Sequence, residues 1–240
     1  MTSPTTTEPD LARDHLAIVL DVPDLREALE LARTVAPWFG VAKVGLELYS
    51  AAGPGTVEPL VDLGFRVFCD LKLHDIPTTV GRAARVLGRL GIHYLNFHAA
   101  GGVEMLRAGV DGVMEGARDA GRAAPVPLAV TVLTSDPDTS VFDARLANAI
   151  EAGCGGVVCS VQEIARVKRA RQDLVTVVPG VRLADGDVHD QARVGTPSQV
   201  AAAGADVLVV GRAISAAPDR RAAAQLVHDA VEDALASARV

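Results

Sequence analysis

Aromatic residues are nearly absent: Phe, Trp and Tyr together make up 3% of the 240 residues. A core without them must be filled by small and branched side chains, which suits buried parallel strands covered by helices. Basic residues are in deficit. Lys and Arg number 23 against 30 Asp and Glu, a net charge of -7, so a large basic surface for gripping nucleic acid is not expected. A small anionic ligand needs only one local nest of donors and stays compatible with that balance. No apolar run approaches the roughly 18 residues that span a bilayer, so no membrane partner is expected. The opening MTSPTTTEPDLARDH lacks a basic segment followed by an apolar one and reads as neither signal peptide nor anchor. A soluble, cytoplasmic protein is expected, with residues 1–14 as a flexible tail. Cysteine is scarce as well. Cys69, Cys154 and Cys159 are odd in number and form no close metal-type pair, so they read as reduced core thiols.

What the chain does have is a recurrence of short Val-, Ile- and Leu-rich runs. Strands are predicted at 16–21, 41–46, 66–72, 93–98, 127–133, 156–160, 175–180 and 206–212. Helical spacing appears between them, as in 24–36 with Leu25, Ala28, Leu29, Ala32 and Ala36, where Asp24 and Glu27 suit a capping box. Residues 78–90 repeat that spacing, and the last stretch, from about residue 217, reads as a terminal helix. Strands alternating with helices imply βαβ units and a parallel sheet. Eight units in about 250 residues is the arithmetic of a (β/α)8 TIM barrel. An open doubly wound sheet is the alternative, but no G-x-G-x-x-G follows the first strand. No Pro/Gly linker divides the chain, so 15–240 is expected to be one α/β domain.

The polar residues are not scattered. Asp21, Asp70, Lys72, His98, Thr134, Ser160, Arg182 and Arg212 lie at or just after strand C-termini, the catalytic face of such barrels. FCDLKLHDIPTT (68–79) crowds Asp70, Lys72, His74 and Asp75 into six positions. Asp70 and Lys72 share one strand face, and that density of charge is costly unless it is used. A surface loop of ion pairs is the bland alternative, but the flanking VFC and IP suit a strand end. Lys43 sits inside the apolar VAKVGL. Either it snorkels at the rim, or it points inward and pairs with Asp70 or Asp21. His74 and His98 are more often structural than catalytic in such positions.

VVPGVR (177–182) and VLVVGRAI (207–214) each end a strand with Gly followed by Arg. Exposed amides, an arginine fork and a following helix start make an anion site where barrels often hold phosphate. The alternative is two ordinary strand-ending glycines. Residues 183–197 form a long polar loop between them, a candidate lid. Nothing has metal-ligand spacing. Asp70 and Asp75 could hold magnesium, but Lys72 between them competes for that place. No metal or cofactor is expected.

The residues AIVLDVPD, AKVGLELY, DLKLHDIPTTV, FHAAGG, VTVLTS, VVCS, PGVR, DQARVGTP and VVGRAI occur in the order found in the bacterial orotidine 5′-monophosphate decarboxylases. The chain resembles that family from residue 17 to about 220. The resemblance implies decarboxylation of orotidine 5′-monophosphate to UMP without a cofactor, the last step of de novo UMP synthesis. It implies that Lys72 is the general acid and that Asp70 crowds the departing carboxylate. Lys43 and Asp75 would complete a Lys–Asp–Lys–Asp array. Asp21 and Lys43 would meet the ribose, and Thr134 would face the pyrimidine. Arg182, Gln191, Gly211 and Arg212 would bind phosphate, with Gln191 linking it to the base. Asp75 and Thr79 would come from the second subunit of a homodimer. Thr78 stands where Asn is common in the family, and Ala100 where Ser is common; neither touches the charged array. Two rivals remain open: a magnesium-dependent hexulose-phosphate synthase or ketogulonate-phosphate decarboxylase, which share a D-x-K-x-x-D run, and a barrel that binds a nucleotide without chemistry.

Overall fold

The eight apolar runs become eight parallel strands that close on themselves in sequence order. They are β1 (Leu16–Val19), β2 (Val41–Gly45), β3 (Arg66–Leu73), β4 (Tyr94–His98), β5 (Val126–Val130), β6 (Gly156–Val158), β7 (Val175–Val178) and β8 (Val207–Val210). A computed structural model describes residues 10–136, 138–183 and 195–238. Eleven α-helices lie among the described residues. The first six are α1 (Leu11–His15), α2 (Leu25–Val35), α3 (Leu46–Ala52), α4 (Val57–Asp62), α5 (Pro77–Gly88) and α6 (Gly102–Asp119). The remainder are α7 (Phe142–Glu151), α8 (Ile164–Ala170), α9 (Pro197–Ala202), α10 (Arg212–Ser215) and α11 (Arg220–Ser237). None of them is long and apolar enough to cross a membrane. The expected (β/α)8 barrel is therefore the observed one.

Most strands stop short of their expected C-terminal ends. The apolar runs reach to residues 21, 133, 160 and 212, but the ladders end at Val19, Val130, Val158 and Val210. Single backbone bonds reach one residue further, from the Leu20, Thr131 and Cys159 N–H groups, and the apolar run continues past the end of regular pairing. At α2 the Asp24 side chain accepts the Glu27 N–H at 3.0 Å, half of the expected capping box.

Side-chain alternation sorts the strands into two cores. Ala17, Val41, Phe68, Tyr94, Leu128, Val177, Val207 and Val209 fill the barrel interior. The two aromatics among them meet edge to face at 5.9 Å and close its floor. The opposite phase, including Ile18, Val44, Cys69, Leu95 and Leu208, packs outward against the helices. The thiols of Cys69 and Cys154 are buried and pushed up to about 12 by burial, so they behave as small apolar groups. The α5–α6 contact is backbone to backbone. A Cβ on Gly112 would overlap the Gly81 carbonyl oxygen, and one on Gly116 the Arg85 carbonyl oxygen. Glycine at these places lets the two helices touch.

Residues 11–14, expected within a loose tail, are instead helical in α1. Ala12 is buried, and Asp10 accepts the Arg13 N–H as the helix cap while pairing with His228 Nε2 at 3.0 Å. The local sequence has few apolar residues, so tertiary contacts order it: α11 through His228, and Arg13 through its bonds to Ala36 and Gly40. Burial opposes charge on the His228 ring, but hydrogen bonds to Asp10 and Asp229 outweigh it and raise its pKa. A raised histidine pKa stabilises the fold fully below the ordinary histidine value and loses that contribution as pH rises through the folded one. The stability gap between the native chain and His228→Asn should therefore be widest near about pH 5.5 and close toward about pH 9. The gap in thermal midpoint should not exceed about 3 °C, because Asp10 is half exposed. Melting curves across that range measure it; a gap that grows with pH contradicts the ion pair.

Candidate active site

The site grows from three neighbouring strands. β2 turns Lys43 inward, and β3, whose inward phase is Phe68, Asp70 and Lys72, lies beside it with Gly45 paired to Asp70. The loop after β1 adds Asp21. Lys43 is 7% exposed. Its Nζ lies 3.2 Å from Asp21 Oδ1 and 3.1 Å from Asp70 Oδ2. Asp70 Oδ1 receives the Lys72 ammonium at 2.6 Å. Lys43 is thus no snorkelling rim residue; it pairs with both expected carboxylates, in a chain running Asp21–Lys43–Asp70–Lys72. Burial opposes ionisation of Asp70. The ammonium groups of Lys43 and Lys72, with hydrogen bonds from Lys72 and Asn96, overcome that and hold its carboxyl below the usual range.

Two members of this arrangement escaped the sequence reading. Gly45 leaves room for the Asp21–Lys43 pair: a Cβ there would come within 2.5 Å of Asp21 Oδ1 and 2.9 Å of Lys43 Nζ. Asn96, fully buried on β4, donates to Asp70 Oδ1 and accepts the Lys72 backbone N–H, both at 2.7 Å. The signal for Asn96 was present in YLNFH, where it keeps the inward phase of Tyr94 and His98.

The charged chain lines one side of a cavity of about 440 Å³ at the C-terminal end of the barrel. Thr134 also lines it, and so do Gly180, Arg182, Gly211 and Arg212 from the ends of β7 and β8. The two Gly–Arg turns therefore face the same space as the charged array. Arg182 is held by its N–H to the Gly195 carbonyl at 3.0 Å. Gln191 and most of the candidate lid lie outside the described residues. Asp75 and Thr79 do not line the cavity. Both are exposed, and the Asp75 carboxylate accepts the N–H of its neighbour Ile76 at 2.6 Å.

The remaining polar strand ends have local duties. His98 Nδ1 accepts the Ala100 N–H at 3.2 Å, and its ring stacks on His74 at 5.3 Å. Burial, then the charges of Arg145, His74 and Lys72, lower its pKa. Ser160 forms a capping box with Glu163. The one cluster of metal-type ligands among the described residues, His228, Asp229 and Glu232, sits on α11, and none of the three lines the cavity.

An ion-pair chain at one side of a barrel-mouth cavity, with two Gly–Arg turns on the same cavity, defines a (β/α)8 protein built to hold a small anionic molecule against preorganised charge. The Orotidine 5′-phosphate decarboxylase / HUMPS family model matches residues 14–227, and the chain belongs to that family. The orotidine 5′-phosphate decarboxylase of Moorella thermoacetica is 46% identical over 235 residues, covering 92% of this chain and 93% of that protein. That of Anaeromyxobacter dehalogenans is 47% identical over 228 residues, covering 89% and 96%. Among solved structures, orotidine 5′-phosphate decarboxylase from Lactobacillus acidophilus superposes with a TM-score of 0.73 at 32% identity, over 90% of this chain and 98% of that one.

Gly45→Ala provides a test of the close packing around Lys43. The β2 backbone has an extended conformation that alanine adopts, so the melting temperature should change little. The added methyl should push Asp21 off Lys43 and lower turnover by on the order of 100-fold. Steady-state kinetics beside a melting curve measure both; native turnover would mean that the pair does not set the geometry.

Proposed function

We propose that this chain decarboxylates orotidine 5′-monophosphate to UMP and CO2 in pyrimidine biosynthesis, without metal or organic cofactor. The observation that carries the reading is the unbroken Asp21–Lys43–Asp70–Lys72 chain on the cavity wall. The family also contains the magnesium-dependent sugar-phosphate enzymes, which use an acidic ligand from the second strand. Here that strand turns Lys43 into the cavity, and Glu47 is exposed on α3 and does not line it. The curated relatives named for the decarboxylase favour the same reading.

The chemistry follows from the charges. The bond between ring C6 and its carboxylate breaks, CO2 leaves, and the electron pair stays on C6. The Lys72 ammonium stabilises that developing carbanion, then gives C6 a proton and becomes a neutral amine that solvent reprotonates. Asp70 disfavours the bound carboxylate more than the transition state, a smaller effect than the ammonium's. Asp21 and Lys43 hold the ribose, and Thr134 faces the pyrimidine. Arg182, Gln191, Gly211 and Arg212 bind the phosphate, whose binding energy closes the site and holds it dry. Incubation of the purified chain with orotidine 5′-monophosphate should give the absorbance change of UMP formation, undiminished by EDTA. A strict magnesium requirement would instead assign the chain to the sugar-phosphate branch.

The working unit in this reading is a cytoplasmic homodimer, with Asp75 and Thr79 reaching the cavity of the second copy. Their exposure, and that of apolar Leu46 (59%), Ile76 (66%) and Leu133 (40%) at the ends of β2, β3 and β5, supports burial of this rim by a second copy. A two-fold interface is isologous, so each site would combine Lys72 of one chain with Asp75 of the other. Lys72→Ala and Asp75→Asn homodimers should each be nearly inactive. After subunit exchange, verified by native mass spectrometry, about a quarter of all sites should be intact and activity should rise to roughly that fraction. Background activity after proven exchange would place Asp75 within its own chain's site.

A further inference from the structure

We infer that Asn96 is a positioning residue for the reaction: its one amide fixes both the backbone turn that aims Lys72 and the rotation of the Asp70 carboxylate. The inference rests on the proposed decarboxylation and deepens it.

Lys72 is the sole non-glycine residue with positive φ among the described residues, at 49°, in the left-handed region that side chains other than glycine's disfavour. The turn coincides with a fault in the sheet. β3 and β4 pair regularly at Phe68–Tyr94 and Cys69–Leu95, and then the register shifts before Leu73 meets Phe97. Across that fault the Lys72 N–H donates to the Asn96 side-chain oxygen at 2.7 Å. The side chain thus stands in for a ladder carbonyl and supports the turn. The other end of the same amide donates to Asp70 Oδ1 at 2.7 Å. With Oδ1 held by Asn96 and Lys72 Nζ, Oδ2 faces Lys43 at 3.1 Å. The amide orientation is fixed by chemistry, because a backbone N–H needs an acceptor and a carboxylate needs a donor. Asn96 is fully buried and does not line the cavity, so it acts through Lys72 and Asp70 and not on the substrate.

The test compares Asn96→Ala and the isosteric Asn96→Asp with the native chain. The measurements are kcat and KM for orotidine 5′-monophosphate, the dissociation constant of UMP, and the pH profile of kcat. In Asn96→Ala, kcat should fall by on the order of 100-fold, while KM and UMP affinity stay within about threefold, because the Gly–Arg turns that hold the nucleotide are untouched. Asn96→Asp retains an acceptor for the Lys72 N–H but loses the donor to Asp70 and sets a second carboxyl against it. Its acidic limb of kcat should therefore move to higher pH by about one unit. A merely structural Asn96 would lower the melting temperature, leave kcat per folded site within about threefold, and leave the acidic limb in place; that result overturns the inference. If Asn96→Ala does not fold, the pH profile and kcat of Asn96→Asp decide alone. An inactive native chain would refute the proposed reaction itself, whereas an active native chain with native-like variants would refute only the role of Asn96.

Discussion

The Asp70 carboxylate is the centre on which the site is built. A buried carboxylate is strongly disfavoured on its own, and this one is kept ionised by two ammonium groups and an amide placed around its two oxygens. Each partner makes a demand on a different strand. Lys43 must come from the middle of β2 with an empty position two residues later, which Gly45 supplies. Lys72 must come from the same strand as Asp70, in a backbone conformation that a regular strand does not offer. Asn96 must interrupt the apolar run of β4. Three strands thus depart from ordinary barrel composition around one anion.

The barrel tolerates this because the departures are confined to its C-terminal end. Below them the interior is apolar, filled by aliphatic side chains with Phe68 and Tyr94 as the large fillers. Lys43 and Lys72 are held by ion pairs to Asp21 and Asp70, and charges held in place in this way are the usual source of large electrostatic rate effects. The turns after β7 and β8 bring Gly180, Arg182, Gly211 and Arg212 to the same cavity. The ion-pair chain and the two turns thus reach one cavity from different strands.

The rim after β3 follows a different logic. Asp75 and Thr79 sit among exposed positions at the start of α5, and α5 is locked to α6 through glycines that permit backbone contact. The close seating of α5 on α6 gives these exposed residues a fixed place on the surface.

The sequence by itself determined the alternation of eight apolar strands with helices, and hence the barrel, because β and helical periodicities are local. It also singled out one end of the barrel, since Asp21, Asp70, Lys72, Arg182 and Arg212 all lie at or just after strand C-termini. Strand ends were less legible, because the apolar runs continue past the point where regular pairing stops. Lys43 was readable as an anomaly, but its choice between the rim and two carboxylates depended on the register of β1, β2 and β3. Gly45 and Asn96 were passed over because a lone glycine or asparagine has no motif of its own. Their meaning arises only when residues 21, 43, 70 and 72 converge from distant parts of the chain. The helical residues 11–14 were likewise invisible, since they are held by residues distant in sequence: Ala36, Gly40, Arg66 and His228. Local pattern fixes elements; the distances between charges are set by how strands pair, and only the tertiary structure decides those.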